Sequence, residues 1–205
     1  MRSLYIVRGG IVLFFCLFLI TLQGCKESDN IMFGPYKIDE TDNKFDGYKI
    51  YCMNSNNLLE KEADMSLSEL FRPIPTSGTH FLLEKVVSKD SDAYYVVIEY
   101  NSSDWLFIRD DIDLKIIYTK QDGAEETIPL LPVKNTKKEN IISGSHIQEI
   151  LHYSITVDQI RALSEAKAAK LRLMGKKGFV VRYFYFVNIQ YLKNFLGEPF
   201  IKGGK

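Results

Sequence analysis

The sequence predicts an α+β fold, mainly antiparallel β-sheet with two C-terminal amphipathic helices. Three observations predict it. Between residues 79 and 155 apolar and polar residues alternate over several short runs, the period of strands that bury one face. Brief clusters of Asp, Asn, Ser and Gly separate those runs, which suits hairpin connections between antiparallel neighbours. At Thr156 the apolar period lengthens to that of a helix, and it does so again near Asn188.

Residues 48–53 (YKIYCM) are an apolar run suited to a first strand. Residues 54–78 are ambiguous, although Ser66 and Glu69 stand at capping-box spacing and fit a helical turn over 67–71 that Pro73 and Pro75 end. From Thr79, Phe81, Leu83 and Val87 alternate with Leu82, Glu84 and Val86. Residues 89–92 (KDSD) turn the chain, and 94–100 (YYVVIEY) return as an antiparallel neighbour. Residues 101–104 (NSSD) break that strand, and 105–108 (WLFI) begin another apolar piece. Ile112, Leu114, Ile116 and Tyr118 then alternate up to Asp122-Gly123, a positive-φ turn, and 127–131 return. Pro129 has no N–H to donate, which places its strand at an edge or a bulge. Residues 134–140 read as a charged loop. In 147–155 the period is two again, with Ile147, Leu151, Tyr153 and Ile155 on one side.

Thr156 and Gln159 fit a capping box, and Val157, Ile160, Leu163 and Ala166 recur at helical spacing, so a helix is expected over 157–168. Leu171 and Leu173 restore a strand, 175–178 turn it, and 179–186 return. Asn188 is expected to cap a last helix running to Leu196, with Gly197 at its stop and Pro199 beyond. Ile189, Leu192, Phe195 and Leu196 give that helix its buried face. The expected total is seven to nine strands, without internal repeats.

The amino-terminal segment is of another kind. Arg2 and Arg8 precede a charge-free run of 12 residues, 11–22 (IVLFFCLFLITL), and Leu22-Gln23-Gly24-Cys25 closes it. Spanning a bilayer takes roughly 20 apolar residues, so this length matches the core of a signal peptide. The segment resembles the type II signal peptide of bacterial lipoproteins. The resemblance implies cleavage between Gly24 and Cys25 and lipid on the Cys25 thiol and the new amino terminus. It also implies sorting to the outer membrane, since Lys26 stands where inner-membrane lipoproteins carry Asp. Lys26-Glu27-Ser28-Asp29 further resembles the short acidic tags of some surface lipoproteins. The expected organisation is a leader over 1–24, a flexible tether over 25–46 and a single domain over 47–205.

The chain has 26 basic and 26 acidic residues, and losing residues 1–24 removes only Arg2 and Arg8 among them. So even a balance argues against nucleic acid as a partner. With Cys16 in the leader and Cys25 lipidated, Cys52 is left alone and no internal disulfide is expected. In a strand His146 and His152 share one face while Glu149 points to the other, so these three do not form a metal site. Asp110, Asp111 and Asp113 lack the glycine of a calcium loop. Gly175-Lys176-Lys177-Gly178 is a strand connection rather than a phosphate-binding loop. His80 has no visible nucleophile beside it, and no motif calls for a cofactor. Tyr94, Tyr95, Tyr100, Trp105, Tyr183, Phe184, Tyr185 and Phe186 read mainly as core, and any on a solvent face would be the exceptions of interest.

The function expected from these features is a non-catalytic binding or assembly module, held to the membrane by its lipid and meeting an envelope protein or a glycan. Two alternatives stay open. One is an envelope hydrolase with a site assembled from scattered residues. The other is an inhibitor- or immunity-like lipoprotein that presents the charged loop at 134–140.

Overall fold

A computed structural model describes residues 34–60, 78–133, 139–143 and 146–200. It is an antiparallel α+β structure built from two sheets and two helices. The first sheet contains β1 (Ile38–Asn43), β2 (Tyr48–Met53), β3 (Asn57–Leu58), β4 (Gly78–Ser88), β5 (Asp92–Ser102), β8 (Glu139–Ser143) and β9 (His146–Ile155). Its order is β1-β2-β4-β5-β9-β8, with β3 following β2 along the same edge of β4. The second sheet contains β6 (Leu114–Thr119), β7 (Glu125–Leu130), β10 (Ala168–Gly175) and β11 (Gly178–Phe184), in the order β11-β10-β6-β7. Helix α1 covers Val157–Ser164 and α2 covers Phe186–Gly197.

Strand alternation decides what is buried. On β4 and β5, Phe81, Leu83, Val96 and Ile98 turn inward and are wholly buried. Leu114, Ile116, Leu171 and Leu173 do the same from the second sheet, and Ile160, Leu163, Leu192 and Phe195 from the helices. They form one apolar core, in which Phe81 and Phe184 meet edge to face across the two sheets at 5.0 Å. Pro129 lies on β7, the edge strand, where a missing N–H leaves no ladder bond unmade.

Several boundaries differ from those the sequence suggests, each for a visible reason. The tether expected over 25–46 is shortened, because Ile38–Asn43 pair in register with β2 and make an edge strand. Its acidic side chains suit an edge, where charge discourages further pairing. Residues 139–140, expected in a charged loop, belong to β8 and pair with Ile150 and Glu149. The first helix stops at Ser164 rather than 168. Although residues 165–170 (EAKAAK) favour a helix, the Lys167 amide donates to Thr119 O at 2.8 Å and Ala168 is already paired with Thr119 in the sheet. The last helix starts at Phe186, so Asn188 lies inside its first turn, where it accepts a 2.7 Å bond from the Tyr185 amide. Ser66, Glu69 and the helical turn expected over 67–71 lie outside the described residues, as do residues 134–138.

The capping box at α1 is present in both halves. The Gln159 amide donates to Thr156 Oγ1 at 3.2 Å, and the Thr156 amide donates to Gln159 Oε1 at 2.9 Å. Thr156→Ala is therefore expected to lower stability by about 1 kcal/mol. A urea midpoint equal to that of the parent chain would count against the cap.

Candidate binding surface

The chain passes from the first sheet to the second through residues 103–113, and one carboxylate organises that crossing. Glu149 sits on β9 in the series Ile147, Leu151, Tyr153, Ile155, on the inward face of the strand, and is wholly buried. Its Oε1 accepts from the amides of Leu106 (2.7 Å) and Phe107 (2.9 Å), and its Oε2 accepts from the amide of Ile108 (2.7 Å). Three successive N–H groups converging on one anion form the concave backbone arrangement known from anion sites, here filled from within the chain. A buried charge is tolerated only when it is bonded in this way.

The carboxylate explains one departure from sequence expectation and one unusual backbone conformation. Residues 105–108 form no strand, since three of their amides are committed to Glu149, and only Ile108 makes an isolated bridge, to Gly175. Phe107 adopts φ +54, a left-handed conformation disfavoured for residues with a Cβ. The charge-assisted bonds on either side offset that strain. Turning the backbone this way places Leu106 and Ile108 in the core and leaves Phe107 39% exposed. Trp105 is half-buried and stacks on Phe107, with centroids 5.5 Å apart and planes 13° from parallel.

The β10–β11 hairpin holds the loop from the other side. Lys176 and Lys177 amides donate to the carbonyls of Phe107 (3.0 Å) and Leu106 (3.4 Å), and the Arg109 amide donates to Met174 O (3.0 Å). Gly175 is required by this approach, because a Cβ there would stand 2.2 Å from Leu106 O and 2.6 Å from its Cγ. Gly175→Ala is accordingly expected to destabilise by about 1–3 kcal/mol through overpacking. An unchanged thermal midpoint would contradict the close contact.

Charge frames the aromatic pair. Lys177 Nζ lies 5.4 Å from the Phe107 ring centre and 2.9 Å from Asp104 Oδ1. That ammonium, helped by the Trp105 amide, holds the Asp104 carboxyl below the usual carboxylate range. Two residues beyond Lys177, Phe179 is 59% exposed with the Arg172 guanidinium 5.6 Å over its ring.

The remaining sequence candidates take other places. His146 is exposed and His152 half-buried on the outward face of β9, opposite Glu149. His80 lies with its Nδ1 3.7 Å from Glu99 Oε2, and burial lowers the histidine's proton affinity while raising that of Glu99. Cys52 is a half-buried free thiol, and its burial pushes the pKa up to about 12, the opposite of an activated nucleophile. Asp111 is engaged by both Arg109 Nε and Nη2, at 2.9 and 2.6 Å. Among the described residues no group of three or more His, Cys, Asp or Glu side chains could hold a metal ion. Of the aromatics, Tyr100 and Phe184 are buried and Tyr94, Tyr95, Tyr183 and Tyr185 half-buried, whereas Phe186 is exposed.

Gly24 and Cys25 lie outside the described residues, and no helix among the described residues is long and apolar enough to cross a membrane. A scan against protein-family models finds no matching family, and searches of curated proteins and of solved structures find no match for this chain.

Proposed function

We propose that this chain is a lipid-anchored protein of the bacterial cell envelope, at the outer membrane, whose folded body is a non-catalytic binding module. The anchor rests on Leu22-Gln23-Gly24-Cys25 behind a short charge-free run. The observation that carries the binding reading is the Trp105–Phe107 stack, part-exposed at the surface on a loop whose backbone is tied on both sides. Rigid, exposed aromatic rings contribute contact area at small entropic cost, and flexible ones do not. An envelope partner therefore meets the chain at this loop, and the lipid keeps the loop within the envelope.

Both halves are testable in cells. Cys25→Ala is expected to abolish labelling by a fatty-acid analogue and to leave the leader attached. Undiminished labelling would reject the anchor. A photo-crosslinking amino acid in place of Phe107 is expected to form an adduct with an envelope component, and one in place of Ser154, exposed on the first sheet, is not. Equal adducts at both positions, or none at Phe107, would reject the loop as the binding site.

A further inference from the structure

The outward face of the second sheet is exposed at Lys115, Lys170, Arg172 and Phe179 and half-buried at Ile117, Val181 and Tyr183, and its charge is one-sided. Lys170 and Arg172 project from β10 and Lys115 from β6, directly beside Arg172 in the register. All three are exposed, and among the described residues none of them has an ion-pair partner. Among the described residues of the four strands, the acid on that face is Glu125, on the edge strand. The whole chain has a formal charge of zero, so this face is a local segregation of positive charge. Parallel to the cations runs a second row, Phe179, Val181 and Tyr183 on β11, paired with Met174, Arg172 and Lys170. The two rings are four residues apart along a strand, about 13 Å. A cleft of about 100 Å³ opens at the Tyr183 end, lined by Lys170, Thr119, Ile117 and Glu125 among others.

We propose that this face binds an extended polysaccharide carrying carboxylate groups. The proposal rests on the binding-module reading above and adds a second surface to the Trp105–Phe107 loop. Sugar rings present C–H faces that pack on Phe179 and Tyr183, while Lys170, Arg172 and Lys115 meet carboxylates along the chain. The cations are spread along strands and do not converge, which matches single charges spaced along a polymer better than one compact anion. The Arg172 guanidinium lies 5.6 Å from the Phe179 ring centre, and its N–H fork suits a bidentate carboxylate. Two straight rows also suit a chain better than a bilayer, which favours apolar side chains that protrude beyond a basic rim. For a phosphate backbone, three cations on a chain of zero net charge is a small complement.

The test measures retention of the full chain, in detergent, on immobilised polygalacturonate and on neutral dextran. Flotation with phosphatidylglycerol vesicles and binding of an oligothymidylate are measured alongside. Selective retention on polygalacturonate is expected, weakened by salt and reduced at least tenfold by Lys170→Ala with Arg172→Ala. Phe179→Ala is expected to weaken it with the salt dependence preserved. These residues are exposed, so the variants should keep the parent's circular dichroism spectrum. Equal retention on dextran would overturn the role of charge. Vesicle or oligothymidylate binding without polygalacturonate binding would overturn the polysaccharide in favour of that other class. Absence of all binding would overturn the site itself. If polygalacturonate fails while the Phe107 crosslink succeeds, the polysaccharide falls and the binding-module reading stands. If both fail, both fall.

Discussion

Replacing Glu149 with alanine is expected to lower the stability of the chain by about 3–5 kcal/mol. The change removes both carboxylate oxygens and strands the amides of Leu106, Phe107 and Ile108, two of them on buried residues. Each buried donor left unpaired costs roughly 1–3 kcal/mol, and water entering beside the exposed Phe107 offsets part of the sum. Domains of this size are stable by only about 5–15 kcal/mol, so the variant should unfold at much lower urea. Glu149→Gln should fall between the two, since an amide supplies one acceptor oxygen and turns an NH₂ group toward a donor. A Glu149→Ala midpoint within error of the parent would mean that the loop is held by the β10–β11 hairpin alone.

Asn188→Ala is the second large effect, expected at about 3 kcal/mol. The Asn188 side chain is wholly buried at the start of α2. Its Nδ2 donates to Asn56 Oδ1 (2.6 Å) and Asn57 O (2.9 Å), and its Oδ1 accepts from the Tyr185 amide. Asn56 in turn bonds Phe81 through side chain and backbone, at 2.9 and 3.0 Å. One amide thus ties the last helix to β3 and β4, and truncating it takes a partner from the buried acceptors of Asn56 and Asn57 and from the Tyr185 amide. Asn188→Asp should be no better tolerated, because a carboxylate cannot donate to Asn56 Oδ1. Asn56→Ala added to Asn188→Ala should lower stability by clearly less than the sum of the single changes, as coupled residues do. Strict additivity, or a harmless Asn188→Asp, would contradict the network.

Much of the fold is legible in the residues because alternation and turns agree. The pair β4 and β5 follows from inward Phe81, Leu83, Val96 and Ile98 around the turn at residues 89–91, and the 114–130 hairpin follows from Asp122-Gly123. The misjudged segments are those where local pattern and tertiary pairing disagree. Strand β1 is written in edge chemistry, IDETDN, which looks like a linker until β2 pairs with it. Residues 165–168 have the composition of a helix, but Lys167 and Ala168 are recruited by Thr119 of β6.

The candidate surface was less visible for a related reason. In β9 the inward series Ile147, Leu151, Tyr153, Ile155 has a gap at position 149, and the glutamate filling it is the one sequence sign of an internal anchor. Its partners lie 41 to 43 residues away, and nothing in residues 105–108 announces that their amides are bound by a side chain. Trp105 reads as core because stacking on an exposed neighbour leaves no periodic mark. The basic face of the second sheet depends on β10 pairing with β6 across more than 50 residues, which brings Lys115 beside Arg172 only in the folded chain.

Amide hydrogen exchange of Leu106, Phe107 and Ile108, resolved by NMR in the parent chain and in Glu149→Gln, tests the central claim most directly. If Glu149 holds the aromatic loop, all three amides are protected in the parent, including that of Phe107, whose side chain is part-exposed. In the variant the protection of Ile108, which alone bonds Oε2, falls furthest. Exchange at all three as fast as in an unstructured peptide, or protection unchanged by the substitution, would contradict it.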